Sequence, residues 1–130
     1  MRDPSKIRQQ AARLMKQRYQ LEQQNFAMRD MIKGSLIKHY KKCGNKSCMC
    51  TEGHLHGPYW YLSYKEAAKS VLKYIDKEKL DKVSRLASNY KKFQSNITRI
   101  NRLNKEIGEL MAELRQILIT KWGKGINGRI

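Results

Sequence analysis

Acidic residues are scarce in this chain: 11 aspartates and glutamates face 28 lysines and arginines in 130 residues, a formal charge of +17. So few carboxylates offer no paired set for general acid–base work, and no Ser/His/Asp arrangement can be assembled, so no enzyme is expected. Self-repulsion of this size works against a compact state unless a polyanion neutralises it. Proline is rarer still, with only Pro4 and Pro58, so little stands in the way of long helices. Cysteine occurs 3 times, too few for a disulfide framework. No apolar run approaches the ~18 residues of a membrane span. The opening "MRDPSKIRQQAARLMKQRYQ" lacks the apolar centre of a secretory signal, and cytoplasmic residence is expected. Hydrophobic residues make up 40%, a thin core for this length that points to an elongated form, an oligomer or a metal staple.

What is present divides the chain into four parts. Residues 1–33 predict an N-terminal helix, with Asp3 and Pro4 as cap and first turn and Ile7, Ala11, Leu14, Leu21, Met28 and Ile32 recurring at helical spacing up to Gly34. Residues 34–75 turn to β-branched and aromatic residues punctuated by glycine. "SLIKHYKK" (35–42) and "YWYLSYK" (59–65) read as strands, and "SVLKYI" (70–75) as a third, although "KEAAK" holds helix formers where a turn is needed. Residues 76–120 predict one long helix whose first interruption is Gly108. Residues 121–130, "KWGKGINGRI", read as a flexible basic tail; "GKGING" lacks the Ser/Thr ending and the preceding strand of a phosphate-binding loop. The fold class expected is α+β: a small three-stranded antiparallel zinc-knuckle sheet between two long helices that form an antiparallel hairpin or coiled coil.

The long helix carries a heptad pattern. Val83, Tyr90, Ile97, Asn104, Met111 and Leu118 make one seam position, and Leu86, Phe93, Ile100, Ile107 and Leu114 the other. Tyr90, Phe93, Ile97, Ile100, Asn104, Ile107, Met111 and Leu114 are thus the expected interaction seam. It is filled either by the first helix, with Asn25 meeting Asn104, or by a second copy of the chain.

Five of the six cysteines and histidines fall between residues 43 and 56, in "CGNKSCMCTEGHLH". Thiolate and imidazole in tetrahedral number suit zinc, and glycines at 44 and 53 allow the backbone to fold tightly around it. Cys43, Cys48 and Cys50 supply three ligands. His56, directly before Gly57-Pro58 at the return into the second strand, is preferred over His54 as the fourth. Four protein ligands close the site, so the zinc is expected to be structural, holding a sheet too small to fold unaided.

"GSLIKHYKKCGNKSCMC", followed by "HGPYWYLSYK", resembles an uncharacterised family of short basic bacterial and archaeal proteins, often in mobile-element or viral neighbourhoods. Its signature runs C-G-x-x-x-C-x-C and then H-G-P-Y-x-Y-L-S. Cys43, Gly44, Cys48, Cys50, His56, Gly57, Pro58, Tyr59, Tyr61, Leu62 and Ser63 match it. The resemblance covers residues 34 to about 100, supports His56 as a ligand and implies the third strand, but supplies no activity. "KEAAKS" departs from the Gly-Lys turn more usual there.

Residues 34–75 are the most lopsided structured part, with seven lysines against Glu52 and Glu66. Lys38, Lys41, Lys42, Lys46, Lys65, Lys69 and Lys73, joined by Lys124 and Arg129 of the tail, are the candidate phosphate contacts. Tyr59, Tyr61 and Ser63 share one face of the second strand, Trp60, Leu62 and Tyr64 the other; one set covers the core and the other is free to cover the sheet or to stack on bases. Lysine rather than arginine excess points to backbone contacts more than base readout. The expected function is a non-enzymatic nucleic-acid-binding accessory protein, with duplex DNA favoured over RNA because mobile-element neighbours handle DNA. The alternative is an adaptor or counter-defence protein that meets an acidic partner through the long helix. Neither a membrane nor a small-molecule substrate is expected.

Overall fold

The computed structural model describes residues 2–42, 53 and 55–119. The elements run α1 (Pro4–Phe26), β1 (Ser35–Lys41), β2 (His56–Glu66), β3 (Lys69–Tyr74) and α2 (Lys77–Leu118). The architecture is α+β, with a three-stranded antiparallel sheet in the order β1-β2-β3. Two compact units share the chain: residues 28–94 form one, and residues 1–27 with 95–130 form the other, so α2 contributes to both. Among the described residues no helix is long and apolar enough to cross a membrane.

In the first unit, alternation along β2 decides the packing. Leu62 is buried, and Leu36 and Trp60 share a small cavity with Ser84, Ala87, Ser88 and Lys91 of α2. Antiparallel register puts Leu36 opposite Leu62, so the Leu36–Trp60–Leu62 face lies on the helix. Ile75 and Ala87 complete this core at 8% and 4% exposure. The opposite face, with Ile37, His39, Tyr59, Tyr61, Leu72 and Tyr74, is left more open.

The segment before β1 is not helical. α1 stops at Phe26, well short of the position near 33 that the apolar spacing predicts. The chain instead lies along α2, where Ile32 donates its amide to the Leu86 carbonyl at 3.0 Å and the Asn89 amide donates to the Asp30 carbonyl at 3.0 Å. Met28 and Ile32 are half-buried there, so tertiary contacts outweigh the helical periodicity that both residues extend.

The turn between β2 and β3 has two central residues, Ala67 and Ala68, both at positive φ (49° and 67°) and flanked by the Glu66–Lys69 pair. This is the geometry of a tight hairpin whose twist matches the strands, occupied by alanines instead of the asparagine and glycine that take it without strain. The helix-forming look of "KEAAK" therefore misstates its conformation.

In the second unit, α1 begins as its sequence predicts. The Asp3 carboxylate accepts from the Ser5 amide at 3.0 Å, with Pro4 in the first turn. Ile7 of α1 is 1% exposed, and Leu103, Ile107 and Leu110 of α2 are each 5–6% exposed. Polar links tie α1 and the residue before it to α2: Arg2 to Glu113, Arg18 to Asn104 at 3.0 Å, and Asn96 to Asn25 at 2.9 Å and to Gln24 at 3.3 Å. Asn25 therefore meets Asn96 rather than Asn104, which is taken by Arg18.

That pairing also moves the seam. Ile97 and Met111 are 38% and 61% exposed, Asn104 is exposed, and Asn96, Leu103 and Leu110 take the buried positions one residue earlier. Ile100, Ile107 and Leu114 keep their inward places, half-buried or buried. The two registers are indistinguishable by composition, because 97/104/111 and 96/103/110 each hold two apolar residues and one asparagine. Asn25 on α1 favours the second by offering its side-chain carbonyl oxygen to the Asn96 amide.

Candidate nucleic-acid interface

The open face of the sheet starts from β2, where tyrosines alternate with core residues. Tyr59 and Tyr61 point away from α2, and register sets Ile37 and Tyr74 on either side of Tyr61 and His39 beside Tyr59. One ring from each strand forms a row. His39 meets Tyr61 edge-on with centroids 5.4 Å apart, and Tyr61 meets Tyr74 edge-on at 5.7 Å. Such edge-to-face geometry is the stable arrangement for neighbouring quadrupoles. It leaves ring surface facing out: Tyr74 is 51% exposed, and Tyr59 and Tyr61 are half-buried.

Lys41 closes one end of the row. Its Nζ donates to the Tyr61 hydroxyl at 2.5 Å and lies 5.0 Å and 5.5 Å from the ring centroids of Tyr61 and Tyr59. The hydrogen bond to Tyr61 is the main reason its pKa is raised, so Lys41 stays cationic through neutral pH. A β-irregularity aims it there. Between His39 and Lys41 the register skips, so that two steps of β1 oppose three of β2 across Gly57 and Pro58. Gly57 sits at φ 134°, and a Cβ on it would stand 2.8 Å from the His39 carbonyl oxygen, so no side chain fits.

A concave site adjoins the row at the same end of the sheet. It holds about 320 Å³ and is lined by Gly57, Pro58, Tyr59, Trp60, Tyr74, Ile75, Lys77 and Leu80. Tyr59 and Tyr74 belong to both the pocket and the open face.

The predicted phosphate contacts divide between the two faces. Lys41 and Lys65 share the open face by alternation, and Lys42 is exposed just beyond β1. Lys38 falls on the other face, its Nζ 5.6 Å from the Trp60 ring and 5.7 Å from that of Tyr40. Lys69 and Lys73 pair with Glu66 and Leu62 in register and are exposed on β3. The ion pairs between described residues are Arg2–Glu113 and Arg18–Glu22, both in the helical unit, so none of these lysines is ion-paired with a carboxylate among the described residues. Lys46, Lys124 and Arg129 lie outside the described residues.

Of the predicted metal ligands, Cys43, Cys48, Cys50 and the alternative His54 also lie outside the described residues. His56 opens β2, half-buried, in register with Lys41 at the end of β1. The connection carrying the cysteines thus leaves and re-enters the sheet at adjacent positions. Among the described residues alone, no three His, Cys, Asp or Glu side chains gather.

Two contributors escape a reading of the sequence. Tyr74 lies inside the third expected strand and His39 inside the first, with nothing local to mark either as part of the site. The signal that finds them is their register against Tyr61, which a sequence does not contain.

A family described as a domain of unknown function (DUF6788) matches residues 5–85, from α1 through the whole sheet into the start of α2 and more than half of the chain. No curated protein and no solved structure matches the chain.

Proposed function

We propose that this chain, which belongs to the DUF6788 family, is a non-enzymatic nucleic-acid-binding accessory protein. The observation that carries the reading is the set of exposed lysines on the sheet, led by Lys41 and Lys42, without a carboxylate partner among the described residues. An ammonium group that no acid neutralises is free to displace counterions from phosphates, and that release supplies most sequence-independent affinity. Lys38, Lys65, Lys69 and Lys73 extend the surface over both sides of the sheet, which suits backbone contacts over base readout.

Zinc bound by Cys43, Cys48, Cys50 and His56 is part of the proposal. The close approach of the β1 and β2 ends at Lys41 and His56 supports it, because a metal in the intervening loop would pin the end of the sheet that carries Lys41 and Lys42. Three thiolates and an imidazole are a donor set suited to structural zinc. We also read α1 and the distal part of α2 as an antiparallel hairpin. The opposite chain order of the Arg2–Glu113, Arg18–Asn104 and Asn25–Asn96 links supports that reading. Leu103, Ile107 and Leu110 are buried, while Ile97, Asn104 and Met111 of the expected seam are exposed.

Fluorescence anisotropy of the zinc-quantified protein with labelled DNA and RNA, across a salt series, tests the reading. Tight binding that weakens steeply with salt is expected, and Lys41→Ala with Lys42→Ala should lower the salt slope by about 1 for each phosphate partner removed. Weak binding to every nucleic acid at moderate salt would sink it.

A further inference from the structure

Resting on the nucleic-acid reading, we propose that the substrate is a single strand: the tyrosine row stacks its unpaired bases, and the adjoining pocket takes one base. Lysines alone do not distinguish duplex from single strand, since both present phosphates. The ring surfaces do. A base in a duplex has both π-faces covered by its neighbours, so Tyr59, Tyr61 and Tyr74 offer nothing to an intact duplex and a stacking surface to an unpaired base.

Three features of the site fit this occupant. The rings come one from each strand, His39, Tyr61 and Tyr74, and so form a band across the sheet rather than a single contact. The pocket, at about 320 Å³, is at the small end for organic ligands and matches one base with its sugar, with Trp60, Tyr59 and Tyr74 among its walls and Lys77 to meet the phosphate. The Lys41 ammonium stands at the edge of the row, bonded to the Tyr61 hydroxyl and 5.5 Å from the Tyr59 ring centroid. It leaves the Tyr61 ring face to a base and sets a cation beside it for the neighbouring phosphate. Aromatic and cationic groups then act on the same nucleotide, which is how strand binders combine stacking with an electrostatic track. Stacking is indifferent to base identity, so pyrimidine and purine strands of DNA or RNA both qualify.

The test uses the whole 130-residue chain with its zinc content quantified. The protein has two tryptophans, Trp60 and Trp122, so Trp122→Phe leaves Trp60 as the sole reporter beside the pocket. In this background, oligo-dT, oligo-U and a blunt-ended hairpin duplex of equal charge are titrated at one salt concentration, by tryptophan emission and by anisotropy. Both single strands are expected to bind more tightly than the duplex and to change Trp60 emission saturably. Tyr74→Ala, at a half-exposed position, is expected to weaken single-strand binding by roughly five- to a hundredfold, with duplex affinity within about twofold. Duplex binding equal to or tighter than single-strand binding, or saturated single-strand binding with unaltered Trp60 emission, overturns the inference and leaves the nucleic-acid reading standing. A preference of oligo-dT over oligo-U, or the reverse, assigns the strand chemistry within the proposal. Failure of all three ligands to bind removes both. The retained duplex affinity of Tyr74→Ala separates lost stacking from lost folding; an equal fall for duplex and single strand counts against the stacking role.

Discussion

Asn96 donates from Nδ2 to the Oδ1 of Asn25 at 2.9 Å, and both side chains are buried, at 7% and 8% exposure. Asn96 also reaches Gln24 at 3.3 Å. An amide pair within an otherwise apolar seam aligns the helices, because sliding either one would strand a buried polar group.

Removing Asn96 tests that role. Asn96→Ala should cost about 0.5–1.5 kcal/mol, the net worth of a typical intramolecular hydrogen bond. Urea denaturation of variant and parent measures it, and an unchanged midpoint would show that the pair contributes nothing to stability.

The shifted seam makes a comparison between neighbours. Leu110 is 5% exposed and Met111 61% exposed. Leu110→Ala should cost ~2–5 kcal/mol, and Met111→Ala should stay within about 0.5 kcal/mol of the parent. If thermal unfolding ranked the two the other way round, the heptad register read from sequence would be right and the packing through Asn96, Leu103 and Leu110 wrong.

Gly108 lies within α2, and a Cβ there would meet nothing within 4 Å. Gly108→Ala is expected to raise stability by about 1 kcal/mol, since alanine loses less backbone freedom in a helix. A lower unfolding midpoint would reveal a close approach that only glycine permits.

The β2–β3 turn carries strain that substitution can relieve. Changing Ala67 to Asn and Ala68 to Gly places residues tolerant of positive φ at both central positions. The double variant should gain roughly 1 kcal/mol, visible as a rise of several degrees in Tm. No rise would indicate that the alanines settle at these angles without cost.

Acid should weaken the link between Arg2 and Glu113. The hydrogen bond from Arg2 holds the Glu113 carboxyl below the usual carboxylate range, with the Arg2 charge adding to it and desolvation opposing it. A depressed folded-state pKa gives stability that is present above the unfolded value, about 4.3, and is lost as pH falls through the folded value. Glu113→Gln should therefore be less stable than the parent at pH 7 and converge with it in acid below the folded value. Urea midpoints at neutral and acid pH check this; a gap that persists in acid would mean the carboxylate charge is not its source.

Much of the scaffold is legible in the residues. Asp3-Pro4 marks the start of α1, the alternation of "YWYLSYK" marks β2, and the apolar repeat marks α2 as one long helix. The candidate site is legible only in its parts. The lysines and the two sets of β2 side chains can be named from the sequence, but not which set is left open.

Local periodicity and charge thus determined by themselves that this chain has, in order, a helix, a basic antiparallel sheet and a second helix, since each element's pattern lies within its own stretch of residues. Only the tertiary structure decided that α1 ends at Phe26, that Asn96 rather than Asn104 answers Asn25, and that Tyr59, Tyr61 and Tyr74 form the open row. Each of these depends on residues far apart in the chain meeting in one register, and a one-residue shift in a helix or strand changes which side chain is buried while leaving the local pattern almost unchanged.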